Sequence, residues 1–255
     1  MTESVAGTLI GEKGSCLYKW IKNVTEICLN ALYPRCCPLC HKVLKEPSRL
    51  LCPSCEKVQK PVSGPRCMRC SKPVSQDREY CKDCEKAERS FDEGKGIYFY
   101  DERMRTSIVR YKYYGRRQYG EFFARAMCVY GKQEIERWRP DLIVPVPLHW
   151  RKQRSRGFNQ AEDLSCRIGA FYHIPVAAEL VVKVHSTKSQ KKLNKAQRRK
   201  NLKHVFVCRE PIKARCVLVI DDVYTTGATM DAMAACLKEQ GAQTVCFLTL
   251  CIGKG

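Results

Sequence analysis

No uninterrupted apolar stretch in the chain approaches the ~20 residues of a membrane span, although 44% of its 255 residues are hydrophobic. A transmembrane helix is therefore not expected. The succession of charge, apolar core and small residues that marks a signal peptide is also missing. The chain begins Met-Thr-Glu-Ser, and the apolar residues between Leu17 and Leu32 are interrupted by Lys19, Lys22, Asn23 and Glu26. Within that stretch Trp20, Val24, Ile27 and Cys28 fall at helical spacing. Residues 1–35 are expected to hold an amphipathic leader helix packed on the protein, with interfacial membrane contact as the alternative. Acidic residues are scarce, 26 against 46 Lys and Arg, for a formal net charge of +20. By count, residues 89–255 hold 31 of the basic residues and 16 of the acidic ones. Such an excess calls for polyanionic ligands: pyrophosphate, nucleic acid or both.

Cysteine is abundant, with 18 residues. In a chain expected to stay in a reducing compartment these read as metal ligands and core thiols rather than disulfides. Eight form four Cys-x-x-Cys pairs: Cys37/Cys40, Cys52/Cys55, Cys67/Cys70 and Cys81/Cys84. A Cys-x-x-Cys knuckle offers two thiolates to one tetrahedral Zn2+, and two knuckles close the site. Residues 37–55 and 67–84 repeat the order pair, spacer, pair, and each ends in Cys-Glu-Lys. A duplicated unit should close its own metal, so two consecutive zinc ribbons are expected over residues 36–88, in preference to interleaved pairing. Cys36 lies beside Cys37, and the two-residue spacing selects Cys37 as the ligand. A redox role for four such pairs in a loop-rich segment is disfavoured.

Residues 89–255 read as an α/β domain with a mostly parallel sheet. Strands are expected over 96–100, 141–147, 174–184, 205–207, 217–220 and 244–251. Helices are expected over 104–114, 119–137, 159–171 and 230–240. The run Val217-Leu218-Val219-Ile220 is aliphatic without alternation, as suits a strand buried on both faces. Asp221 and Asp222 follow, at the strand end where open α/β sheets bind ligands. Adjacent carboxylates there can accept from the 2′ and 3′ hydroxyls of a ribose or hold a Mg2+ shell. Thr225, Thr226 and Thr229 supply hydroxyls, Gly227 lets the backbone close up, Ala228 completes the candidate loop, and the next helix favours a phosphate at its N-terminus. The plainer alternative is a strand, a turn and a helix whose cap is one of these hydroxyls.

Two basic constellations accompany this stretch. After Pro145-Val146-Pro147 come Arg151, Lys152, Arg154 and Arg156 before Gly157. They can gather around a pyrophosphate, with arginine offering forked donors, or form a solvated loop. Lys183 to Lys203 holds nine basic residues by count and no acidic one. Thr187, Gln190 and Arg198 lie in it, and it reads as a flexible hood over the site, a nucleic-acid contact or an exposed basic face. Arg116, Arg117, Lys191, Lys192, Arg198 and Arg199 are the candidate nucleic-acid contacts. The rings of Tyr111, Tyr113 and Tyr114 either stack on unpaired bases or pack in the core.

The stretch 217–229 resembles the phosphoribosyl pyrophosphate (PRPP) motif of type I phosphoribosyltransferases. That resemblance implies that Asp221 and Asp222 contact the ribose and that Thr225 to Thr229 cradle its 5′-phosphate. The whole combination resembles the ComF family of competence-associated, phosphoribosyltransferase-like proteins with an N-terminal zinc module. Its motifs here are the four cysteine pairs, Val144-Pro145-Val146-Pro147-Leu148-His149, Arg156-Gly157-Phe158-Asn159-Gln160, Thr187-x-x-Gln190-x-x-Leu193, Arg198-x-x-Asn201 and Val219 to Thr229. Lys183 and His185 stand where the family tends to have arginines. The resemblance implies a phosphoribosyltransferase-like fold, two structural Zn2+, PRPP with Mg2+, and a part in natural transformation. There single-stranded DNA is handled at the cytoplasmic face of the membrane with a helicase partner. The alternatives are a salvage phosphoribosyltransferase, for which no nucleobase pocket is recognisable, and a zinc-ribbon adaptor with a vestigial phosphate site.

Overall fold

A strand with aliphatic side chains on both sides is stable only where both faces are covered, which is the centre of a parallel sheet. In the computed structural model, which describes residues 34–46, 48–184 and 205–254, Val217 to Ile220 occupy that place. They belong to β5 (Cys216–Tyr224) in a four-stranded sheet of order β1-β6-β5-β2, with β1 at Glu93–Phe99, β6 at Thr244–Ile252 and β2 at Leu142–Pro145. All three pairings are parallel. Cys216, Leu218 and Ile220 face one apolar layer, and Val217 and Val219 the other. Each such aliphatic side chain contributes ~1.5–3 kcal/mol by leaving water.

The first layer is built by α3 (Glu102–Tyr113), α4 (Tyr119–Tyr130) and α7 (Gln160–Tyr172), with Ile108, Phe123 and Leu164 fully covered. The second is built by α8 (Ala228–Glu239), with Met233 and Leu237. The expected mostly parallel sheet flanked by helices, carrying a small cysteine module, is the architecture observed. The module divides between the layers. The first cysteine unit, with its short helix α1 (Pro53–Val58), joins the α3/α4 layer through Leu39 and Leu44. The second, with α2 (Lys82–Lys86), joins the α8 layer through Val62 and its own four cysteines.

Several expected elements differ. Residues 119–137 are two helices, α4 and α5 (Lys132–Trp138), separated at Gly131, which caps both. The expected strand over 174–184 breaks up. Val176 makes a single parallel bridge to Ile143, and only β3 (Val181–Lys183) is a strand, paired antiparallel with β4 (Phe206–Cys208) in a separate two-stranded sheet. The basic stretch 151–156 is not a loop but α6 (Trp150–Arg156), ended by Gly157 at φ 75°. β5 runs past Ile220 through both aspartates, Asp221 facing Thr249 in the ladder. Residues 1–33, the expected leader helix, lie outside the described residues, as do Thr187, Gln190, Lys191, Lys192, Arg198 and Arg199. β3 and β4 join the two ends of that basic segment, with Val184 N–H bonded to the Val205 carbonyl at 3.0 Å.

Candidate functional site

The two aspartates at the end of β5 differ in their surroundings. Asp222 is buried, and its Oδ2 pairs with Nζ of Lys112, which reaches in from the last turn of α3. Burial opposes a charge on Asp222, but Lys112, the hydrogen bond with Asp221 and the nearby Arg156 outweigh it and hold its carboxyl below the ordinary range. Asp221 is half-buried, and its Oδ1 accepts the Asp222 backbone N–H at 2.8 Å. Desolvation, reinforced by the charge of Asp222, pushes Asp221 well above the ordinary carboxylate value. One carboxylate is thus committed to a lysine, and the other is open to a ligand hydroxyl. A committed Asp222 leaves the pair poorly suited to a dedicated Mg2+ cage, which needs free carboxylate oxygens.

The chain then turns through Thr225 and Thr226, both exposed, to Gly227 at φ 82°. A side chain at Gly227 would meet the Tyr224 hydroxyl at 2.5 Å, and an L-residue there would also be strained. Gly227 is the N-cap of α8, and no side chain caps that helix. The threonine hydroxyls are therefore not spent on capping. The first N–H groups of α8 carry the positive end of the helix dipole and remain open to an anion. Ala228 is half-buried and Thr229 exposed at its first turn.

Of the expected pyrophosphate residues, only Arg156 turns inward. Its Nη1 donates to Gln160 Oε1 at 2.7 Å, its guanidinium lies 4.6 Å from the centre of the Tyr113 ring, and its Nη2 donates to the Tyr113 hydroxyl. Asn159 fixes this corner by capping α7, accepting from Ala161 N–H at 3.1 Å, and by donating to the Val146 carbonyl at 3.1 Å. Arg151 and Arg154 point to solvent on α6. Lys183, at the end of β3, is drawn below its ordinary value by burial and by Lys152, with Asp221 opposing. The site thus gathers Lys112, Arg156 and Lys183 around the acidic pair. Lys112 lies between Tyr111 and Tyr113 and is not among the expected site residues. The signal that could have found it was its place four residues after Ile108, at the edge of an apolar stripe.

The cysteines form two clusters, Cys37/Cys40/Cys52/Cys55 and Cys67/Cys70/Cys81/Cys84, each with its four sulfurs within 4.8 Å of one another. A tetrahedral ion with Zn–S bonds of about 2.3 Å requires sulfurs ~3.8 Å apart, and Cys40–Cys52 at 3.6 Å and Cys70–Cys81 at 3.5 Å are near that length. Two structural Zn2+ fit, one per consecutive ribbon, and Cys36 stays outside the cluster. In the first cluster hydrogen bonds from Cys55, Cys40 and Cys37 outweigh burial and bring Cys52 down to about 7. In the second, Cys67 is pulled down by hydrogen bonds with Cys70 and Cys84, and Cys70 is driven up by hydrogen bonds with Cys67 and Cys84. Four sulfurs so close cannot ionise independently without a shared cation.

Competence protein F of Haemophilus influenzae is 31% identical over 173 residues, 66% of this chain and 76% of that protein. The chain belongs to the ComF family. Competence protein ComFC of Bacillus subtilis is 28% identical over 183 residues, covering 67% of this chain and 71% of its own length. DNA utilization protein YhgH of Escherichia coli is 37% identical over 112 residues, 44% of this chain and 49% of that protein. A double zinc ribbon domain matches residues 28–85, which contain both cysteine clusters of this ComF chain. The purine phosphoribosyltransferase of Pyrococcus horikoshii superposes loosely, with a TM-score of 0.32 and 16% identity over 54% of this chain and 84% of its own.

Proposed function

We propose that the chain binds PRPP at the end of β5 and contacts single-stranded DNA, acting in DNA uptake as the names of its relatives indicate. The observation that carries the PRPP reading is the uncapped N-terminus of α8 directly after Asp221, Asp222 and the threonine turn. The 5′-phosphate takes the loop 225–229, the ribose hydroxyls take Asp221, and Arg156 with Lys183 faces the pyrophosphate. Lys112 keeps Asp222 ionised and fixed beside its neighbour. Mg2+ would come with the ligand and offset its charge, since Asp222 is already held by Lys112. Transfer from PRPP would require an acceptor, and positioning with charge stabilisation would carry it.

Support for the DNA reading comes from a cleft of about 480 Å³ lined by His41, Thr106, Val109, Arg110, Tyr114 and Arg116. Tyr114 is 69% exposed beside these cations, and an exposed ring flanked by arginine is a stacking platform for an unpaired base. Tyr111, in contrast, is fully buried and bonded to Asp163 at 2.6 Å, so it belongs to the core. Among the described residues no helix is long and apolar enough to cross a membrane, and a place at the cytoplasmic face with a helicase is part of the proposal.

Calorimetric titration with PRPP and Mg2+, and separately with single-stranded DNA, tests both ligands. Both are expected to bind. Asp221→Ala with Asp222→Ala should weaken PRPP at least tenfold with an unchanged circular dichroism spectrum, and should leave DNA binding in place. Unchanged PRPP affinity would sink the site. Pyrophosphate release with a free nucleobase, in the absence of DNA binding, would move the reading to a salvage transferase.

A further inference from the structure

Arg89 follows the second ribbon directly, and its side chain is only 9% exposed. Its Nη2 donates to the Thr226 carbonyl at 3.1 Å, inside the threonine turn, and to the Asp83 carbonyl of the ribbon at 3.5 Å. Its Nη1 reaches Asp231 Oδ2 at 3.5 Å, in the first turn of α8. The other Asp231 oxygen accepts the Ser90 backbone N–H at 2.7 Å. One guanidinium therefore ties the ribbon to the turn and to the helix start at once. Asp83, whose carbonyl Arg89 holds, directly precedes Cys84 of the cluster.

Tyr224 makes the second link. It stacks on Phe247 with ring centres 4.7 Å apart, and its hydroxyl sits where a Gly227 side chain would be. That hydroxyl is buried and makes no hydrogen bond, and Cys70 of the cluster lies near it. A metal-held thiolate at Cys70 would give this phenol the acceptor it lacks, and a buried donor without a partner costs ~1–3 kcal/mol. Hydrogen bonds to metal-bound ligands orient those ligands and tune the metal.

We infer that Arg89 and Tyr224 couple the second metal cluster to the threonine turn, so that metal retention in that cluster and anion affinity at the turn rise and fall together. The coupling is reciprocal by linkage: a ligand that tightens the turn must tighten the metal by the same factor. The choice of PRPP as the anion rests on the phosphoribose reading above. The tie between ribbon and turn rests on geometry alone.

Hydrogen exchange at residues 225–231 and zinc release to a chromogenic chelator, both on the full chain, read the coupling. Tyr224→Phe keeps the ring stack, and Arg89→Lys keeps one charged donor, so both should fold. Either is expected to speed exchange at 225–231 several-fold and to hasten release of one of the two zinc ions, Arg89→Met more than Arg89→Lys. Cys81→Ser should loosen the turn in the same way, and Cys40→Ser in the first ribbon should not. PRPP should slow release of that one ion in the unaltered protein, and Arg89→Met should weaken PRPP about tenfold. Unchanged exchange and zinc release in Arg89→Met and Tyr224→Phe overturn the coupling, as does an equal loosening by Cys40→Ser. A turn that responds to Cys81→Ser in a protein that binds no PRPP supports the coupling and removes the phosphoribose reading.

Discussion

After Cys40 the chain turns through His41 at φ 64°, and after Cys70 through Ser71 at φ 63°. Each turn is closed by the same bonds, Cys37 N–H to the Lys42 carbonyl at 2.8 Å and Cys67 N–H to the Lys72 carbonyl at 2.7 Å. A cysteine stands at the N-cap position of each following helix, Cys52 for α1 and Cys81 for α2, without a side-chain cap bond. Beyond this shared frame the two units part. The first leaves Cys40 exposed and Cys52 half-buried, and meets α4 through polar contacts, His41 Nδ1 to the Tyr119 hydroxyl at 2.5 Å and Arg35 to Glu121 at 3.3 Å. The second buries all four cysteines against the α8 layer and reaches the threonine turn. Duplication preserved the metal-closing geometry, and the residues around it decided what each copy grips.

Removal of one ligand from each cluster is the sharpest separation. Cys52→Ser and Cys81→Ser should each leave one zinc per chain by elemental analysis, because each ribbon closes its own ion. Binding of structural Zn2+ is worth ~10–16 kcal/mol in isolated fingers, so either loss is severe locally. Cys81→Ser should lower the melting temperature further, since all four cysteines of its cluster are buried whereas Cys40 is exposed and Cys52 half-buried in the first. Loss of both ions from one variant would mean that the clusters are interdependent.

The second contrast lies one residue past each turn. Lys42 is exposed, whereas the Lys72 side chain is 8% exposed and bonded to Asp83 at 2.7 Å, with its ammonium 5.9 Å from the centre of the Tyr224 ring. Lys72→Ala should cost roughly 1–3 kcal/mol, below the range for fully buried pairs because Asp83 is half-exposed. Lys42→Ala should stay within about 0.5 kcal/mol. Equal costs in urea denaturation would erase the contrast in docking.

Much of this was legible in the sequence because it depends on local spacing. The four Cys-x-x-Cys pairs gave the consecutive ribbons, and Val217 to Ile220 gave the central strand. What escaped depends on residues remote in sequence. Lys112 meets Asp222, and Arg89 meets Thr226 and Asp231. No periodicity marks such pairs, because the sheet order β1-β6-β5-β2 brings them together. Residues 174–184 misled because an apolar run does not reveal its partner. Val176 bridges β2, and Val181 begins a different sheet.

The smallest expected effect tests whether the first ribbon's flank is the DNA side. Arg116 lies 3.4 Å from His41 through Nη2, and the Arg117 guanidinium lies 4.7 Å from the centre of the Phe158 ring, so both stand near the first ribbon or the α6–α7 corner. Each phosphate of a single strand that the protein no longer neutralises takes about 0.7 off the slope of log affinity against log salt. Arg116→Gln with Arg117→Gln should therefore flatten that slope by about 1.4 if both touch phosphate. PRPP affinity should stay as it was, since neither side chain belongs to the acidic pair or the turn, and Arg117 packs on Phe158 while Arg156 is held by Gln160 and Tyr113. Fluorescence anisotropy with a labelled oligonucleotide across a salt series reads the slope, and calorimetry reads PRPP. A slope unchanged by the double substitution would take the DNA off this flank and leave the basic segment Lys183 to Lys203 as the candidate contact. A fall in both affinities together would mean that the two ligands share one surface, and the division of labour between the ribbons would fail.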